Sequence, residues 1–162
     1  MEWILIFGTM AITLPIALFM KKNISAAEMY VTLIFGLFVQ SVVDVFASFH
    51  FLAWGFYEVP IAELKSLWTI LGVYPLFASM IINWFPYEQS WWKKTIYLLS
   101  WSIFSTTYEW LYVKIGIIWH MNWNLFRSFL LYPFFYYLLI LHLRFFRILR
   151  SKSLLNGRLP RL

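Results

Sequence analysis

No cysteine occurs anywhere in the 162 residues. Disulfides, thiolate nucleophiles and cysteine-ligated metals are therefore excluded, although the redox compartment is left open. Charge is almost as scarce, at 12% of residues. Soluble domains carry about a quarter charged residues, so a soluble fold could not cover its surface with this composition. Also missing are Gly-x-Ser-x-Gly, the P-loop, Gly-x-Gly-x-x-Gly and His-Glu-x-x-His, and with them the common signatures of hydrolases, nucleotide-binding proteins and zinc peptidases. No repeat, low-complexity tract or internal linker divides the chain.

What is present is apolar and aromatic: 62% hydrophobic residues and 23% Phe, Trp and Tyr. Five runs approach the roughly 20 residues that a helix needs to cross a bilayer: Trp3–Met20, about Met29–Phe49, Leu67–Trp84, Thr95–Val113 and about Leu125–Leu143. Each is expected to be helical, because a backbone in lipid must satisfy its own hydrogen bonds. A barrel would need many short alternating segments. The expected fold is thus an all-α bundle of five membrane-spanning helices over residues 1–150, followed by a basic tail at 151–162. Glu2 precedes the first apolar run and Lys21 and Lys22 follow it, the reverse of a signal peptide. The first segment is therefore expected to be a retained helix. Ser25 is a plausible N-cap for the second. The stretch from His50 to Ser66 is expected to lie in the interface or fold back towards the bundle.

The net charge is +6, but the basic residues lie between and after apolar runs rather than along a water-facing stripe. That arrangement argues for membrane orientation and against nucleic acid. With the N-terminus outside, ten basic residues fall on the inner side (Lys21, Lys22, Lys93, Lys94, Arg144, Arg147, Arg150, Lys152, Arg158, Arg161) and three outside (Lys65, Lys114, Arg127). The positive-inside rule then puts the C-terminus in the cytoplasm. Arg144, Arg147, Arg150 and Lys152 are expected to contact anionic lipid, each worth about 1 kcal/mol near such a surface. His142 is expected to snorkel among them.

Charges inside spans are the strongest functional pointer, since each costs about 2.5–3.5 kcal/mol at mid-helix. Asp44 shares a helix face with Gln40 and Ser48 in the second span. Glu109 stands in the fourth, near Ser105, Tyr108 and Tyr112. At 1.5 Å per residue, both acids sit about 6 to 8 Å below the outer ends of their helices. Arg127 enters the fifth span at a similar level. The outer loops add His50, Glu58, Trp119, His120, Asn122, Trp123 and Asn124. The expectation is an outward-facing polar cavity built from Asp44, Glu109, Arg127, Gln40 and His120, with Arg127 paired to one acid. The competing reading is a purely structural ion pair. A proton relay lacks polar groups on the inner side, and three dispersed histidines are a thin basis for a metal site. No cofactor is expected. Pro15, Pro75 and Pro133 should each free a carbonyl one turn back.

The aromatic five-span plan, Gln40-Ser41-Val42-Val43-Asp44 and Tyr108-Glu109-Trp110 resemble a family of small uncharacterised integral membrane proteins of spore-forming Gram-positive bacteria. The resemblance covers most of the chain and implies a bacterial plasma membrane. It implies no activity and transfers no functional residue. The expected role is a small binding, sensing or accessory subunit, acting with a partner protein or as an oligomer. A transporter or channel protomer is the alternative, and a membrane-embedded enzyme the third reading.

Overall fold

The computed structural model describes residues 1–57 and 66–155. Glu58, Lys65, Arg158 and Arg161 lie outside the described residues. The architecture is all-α. Helices α1 (Glu2–Phe19), α2 (Ala26–Val45), α3 (Tyr74–Trp84), α4 (Trp91–Ile115) and α5 (Leu125–Leu155) are joined by short connections. Two three-residue strands, β1 (Trp54–Phe56) and β2 (Ile118–His120), form an antiparallel ribbon.

Helix boundaries follow local chemistry. Ser25 caps α2: its Oγ accepts from the Glu28 N–H, and Glu28 Oε2 accepts from the Ser25 N–H. This reciprocal pair satisfies two N–H groups that would otherwise be orphaned. Asn124 Oδ1 does similar work at the start of α5, accepting from the Arg127 N–H. Helix α4 ends at Gly116, whose φ of 83° is the left-handed conformation that spares glycine a Cβ clash. That turn directs the chain straight back into β2.

Pro75 lies within the continuous helical stretch Trp68–Trp84, where a π-helical segment, Trp68–Val73, passes into α3. Proline cannot supply the N–H that Leu71 would require. The chain absorbs this with a wider turn, in which the Tyr74 N–H reaches Thr69 O. A second π segment, Phe46–His50, extends α2. Pro15 and Pro133 lie inside α1 and α5. Helix α5 continues unbroken past the expected end at Leu143 to Leu155. Its 31 residues make about 46 Å of helix, longer than the hydrocarbon core of a bilayer.

Three helical stretches are long and apolar enough to cross a membrane: Glu2–Phe19, Ala26–His50 and Leu125–Ser153, each with only 17% of its apolar window buried. Trp68–Trp84 is a shorter apolar helix. Helix α4 has the length but carries Ser102, Ser105, Thr106, Thr107 and Glu109. Large apolar side chains such as Ile4, Ile12, Phe19 and Phe38 are mostly exposed. A water-soluble monomer rarely shows so much continuous apolar surface.

Packing concentrates at the two ends of the bundle. At the ribbon end, Ile6, Tyr57, Val73, Tyr112, Ile117 and Ile118 form one core. At the other end Ile24, Ile82 and Leu143 form a second. There the buried Asn83 stitches the α1–α2 turn to α3. Its Oδ1 accepts from the Asn23 N–H (2.9 Å), its Nδ2 donates to Lys21 O (2.8 Å), and its own carbonyl accepts from Asn23 Nδ2 (2.9 Å). Arg147 also departs from the lipid-contact role expected of it. Its guanidinium pairs with Glu28 (2.9 Å) and lies over the Tyr87 ring, tying α5 to α2. Desolvated acid and base so close together satisfy each other before either meets lipid. His142 does not snorkel; it stacks face to face on Phe35 at 4.0 Å between ring centroids. Arg144 and Lys152 remain exposed.

Asn83→Ala would leave the Asn23 N–H and the Lys21 carbonyl without partners. Each lost hydrogen bond costs about 0.5–1.5 kcal/mol. The variant should therefore show a clearly lower Tm in detergent, and an unchanged Tm would show that this junction carries no stability.

Candidate functional site

A cavity of about 180 Å³ lies between α2, α3, α4 and α5. It runs from Leu33 to Asp44 along α2 and from Ser128 to Leu139 along α5. Twelve residues of helix on each side, eleven rises of 1.5 Å, make it about 16 Å long. Its two ends differ in chemistry. Towards the ribbon it is lined by Asp44, Trp54, Tyr74, Glu109, Trp123 and Tyr132; away from it, by Leu33, Leu37, Ile81, Phe135 and Leu139. Among the described residues that line it there is no lysine, arginine or histidine. Gly36 lets α2 approach α5 closely: a Cβ there would stand 3.0 Å from Leu139 Cδ2.

The polar end is organised by the ribbon. In its register Trp54 pairs with His120. Residues directly opposite in an antiparallel pair project to the same face. Both side chains therefore reach the bundle together, one for each acid. Trp54 Nε1 donates to Asp44 Oδ1 at 3.1 Å, and Gln40 Nε2 donates to the same oxygen at 3.0 Å. His120 Nε2 bonds Glu109 Oε1 at 2.7 Å.

Glu109 is the more enclosed acid, with 8% of its surface exposed. Ser128 Oγ donates to Oε1 (2.7 Å) and Tyr132 Oη to Oε2 (2.6 Å). An ionised carboxylate only accepts, so His120 is its third donor. Trp123 Nε1 donates to Ser128 Oγ (2.8 Å), which orients that hydroxyl towards the acid. Both oxygens of Glu109 thus have partners. Asp44 differs: its Oδ2 is buried and has no hydrogen-bond partner among the described residues. Above the acids, Tyr108 Oη donates to Thr9 Oγ1 (2.8 Å), linking α4 to α1.

Of the residues expected to form the site, Gln40, Asp44 and Glu109 line the cavity. His120 stands behind Glu109, which it contacts. Arg127 does not join them. It lies in the first turn of α5, where its Nη1 donates to Asn122 O (2.8 Å) and its guanidinium rests 5.8 Å from the Trp123 ring centroid. At that level the long side chain reaches outward to solvent, and the inward place is taken by the next residue, Ser128. Ser48, expected on the Asp44 face, falls in the π segment and does not line the cavity. His50 packs edge-on against Phe51 instead.

Sequence reasoning missed Ser128, Tyr132 and Trp54. Ser128 and Tyr132 are one turn apart on α5, a polar pair in an apolar span. That spacing could have flagged a face turned towards a buried charge. Trp54 had no comparable signal.

Ser128, His120 and Glu109 have the composition of a hydrolytic triad but not its order. Ser128 and His120 both bond Glu109 Oε1 rather than each other, so His120 is not placed to take the serine proton as in a Ser-His-acid triad. Among the described residues no three His, Asp or Glu side chains cluster closely enough to hold a metal ion. No protein-family model, curated protein or solved structure matches this chain.

Glu109→Gln keeps the shape but leaves one acceptor oxygen where three donors converge. It should lower Tm by an amount equivalent to about 1–3 kcal/mol, and loosening of the ribbon should shift the fluorescence of Trp123. If Tm and emission both stay at wild-type values, Glu109 does not anchor the ribbon.

Proposed function

We propose that this chain is a multi-pass bacterial plasma-membrane protein whose five helices all span the bilayer. In this reading the ribbon and N-terminus are outside, and the protein serves as a small binding, sensing or accessory subunit through the Asp44–Glu109 cavity. One observation carries the proposal: among the described residues, two acids from different helices line one open volume that no lysine or arginine enters, and one of their oxygens has no hydrogen-bond partner. A cluster serving only to hold helices together would close on itself. Glu109 does so; Asp44 does not. Intramembrane acids that face a cavity lean towards function.

Support for the topology comes from the ends of the bundle. Lys21 and Lys22 follow α1, Lys93 and Lys94 begin α4, and Arg144 and Arg147 lie near the second core, all away from the ribbon. That asymmetry fits the positive-inside rule. The bacterial location rests on the likeness of Gln40–Asp44 and Tyr108–Trp110 to small membrane proteins of spore-forming bacteria. The alternative of a transporter or channel protomer meets a difficulty at the far end of the cavity. Leu33, Ile81 and Leu139 offer a polar solute nothing to replace its water. The exposed Arg144 and Lys152 suit anionic headgroups, as does the half-buried Arg150.

The absence of native cysteine makes topology directly testable. Single substitutions Lys22→Cys, Ser151→Cys and Met121→Cys should divide under an impermeant maleimide on intact cells. Met121→Cys should label at once, and the other two only after lysis. External labelling of Lys22→Cys would overturn the orientation.

The cavity reading has its own test. Ala78 lines the cavity, so Ala78→Phe fills part of it. Small amphiphiles screened against protein in nanodiscs should raise the Tm of the wild type, and that shift should be lost in Ala78→Phe. No differential shift from cationic, neutral or anionic compounds would overturn the binding role.

A further inference from the structure

The cavity has a direction and a sign, and both restrict what it can hold. Its far half is lined by Leu33, Leu37, Ile81, Phe135 and Leu139. This is a narrow apolar slot, about 16 Å long with its polar end included. Its near end carries two carboxyl groups and aromatic faces. Trp54, Tyr74 and Tyr132 all line this end, and no basic side chain among the described residues does.

The two acids are not equivalent. Glu109 makes three hydrogen bonds, to His120, Ser128 and Tyr132, with at least one on each of its oxygens. At Asp44, Gln40 and Trp54 both donate to Oδ1. They orient the carboxyl group and leave Oδ2 buried without a partner. Native proteins rarely strand such an oxygen without a reason. An anionic head at this end would face two acids and no cation. A cationic head would find an acceptor, a negative field and aromatic rings whose faces attract cations.

Resting on the cavity reading above, we infer that the site takes a single-chain amphiphile with a protonated primary amine head. The ammonium donates to Asp44 Oδ2 among the faces of Trp54, Tyr74 and Tyr132. The alkyl tail lies between α2, α3 and α5, along Leu37, Ile81 and Leu139. Glu109 is a positioning residue: through His120 it holds the ribbon that carries Trp54 over the ligand.

The test is a matched series of n-alkyl compounds on the full chain in nanodiscs of neutral lipid. Primary amines, alcohols and carboxylates of the same length are compared at neutral pH, where an alkylamine with a lysine-like pKa of about 10.4 is charged. Binding is read by thermal shift and by competition. Amines should bind at least tenfold more tightly than the matched alcohols, and carboxylates should not bind. Affinity should rise about fourfold per added methylene while tail is still being buried, then level off once the slot is full. Asp44→Asn should reduce the amine-over-alcohol preference to near unity while alcohol binding persists. Should that variant fail to fold, the head-group series on the wild type and on Ala78→Phe still decides. Equal binding of amine and alcohol, or tighter binding of carboxylate, overturns the head-group inference and leaves the cavity reading standing. Shifts that persist unchanged in Ala78→Phe, or no shift from any head group, overturn both.

Discussion

A carboxyl group among apolar helices must be met by donors, and here a pair of three-residue strands carries them to both acids. The pairing of Trp54 with His120 places an indole N–H against Asp44 and an imidazole against Glu109. Everything at the ribbon end follows from that register. A slip of one residue would bring Gly55 or Trp119 to the inward face. Glycine has no side chain to donate from, and the acids would lose their partners. Gly116 makes the register reachable, because its left-handed turn sends the chain back from α4 within a few residues of Glu109. Leu52 and Tyr57, on either side of β1, also adopt positive φ values of 48° and 55°. A left-handed non-glycine residue costs about 1–3 kcal/mol. That cost is borne at the two points where the chain must turn to bring Trp54 inward. The π segment after Asp44 contributes to the same geometry by ending α2 with a wider turn beneath the ribbon.

The opposite end of the bundle is secured by different means. Glu28 closes the cap of α2 and pairs with Arg147, so a single acid both starts one helix and ties it to another. Asn83 joins the α1–α2 turn to the end of α3. Two polar latches and two small cores thus hold the helix ends. The middle, between α2 and α5, is left to Gly36 and the cavity wall. A bundle fastened at its ends can keep an open volume at its centre without losing its shape.

How much of this was readable beforehand depended on the range of each interaction. The helical stretches were legible because apolar length is a local property. The Ser25–Glu28 cap is a three-residue spacing, and Gln40 with Asp44 a four-residue one; both are visible in a string of letters. Depth was legible too, since counting residues from the helix ends brought Asp44 and Glu109 to one level. Side-chain direction was not. Arg127 was placed at the right height, but height does not say which way a first-turn side chain leans, and Ser128 occupies the inward position. The ribbon was invisible for another reason. Three residues are too few to show a period of two, and the partner strand lies over sixty residues away. Glu28 with Arg147 was hidden by habit rather than physics, because a basic residue near a membrane surface is readily assigned to lipid before a neighbouring acid is considered.

The contrast between the two acids is the most informative feature of the molecule. Both cost the bundle the same kind of desolvation, and evenly compensated acids would indicate a common structural duty. Compensation is uneven instead. Glu109 receives three donors, one of them held in place by Trp123, and works as the fixed point to which α5 and the ribbon are attached. Asp44 receives two donors on one oxygen and, among the described residues, none on the other, at the wall of a cavity whose far end is lined by Leu33, Ile81 and Leu139 beyond the Ser105–Tyr136 pair. Among the described residues no lysine, arginine or histidine lines the cavity, and Arg127 is turned away towards Asn122 and Trp123. A cationic ligand would bring Asp44 the charge that none of these residues supplies. A cavity with an acidic aromatic mouth and an apolar floor favours a molecule that carries a positive head on a hydrocarbon tail.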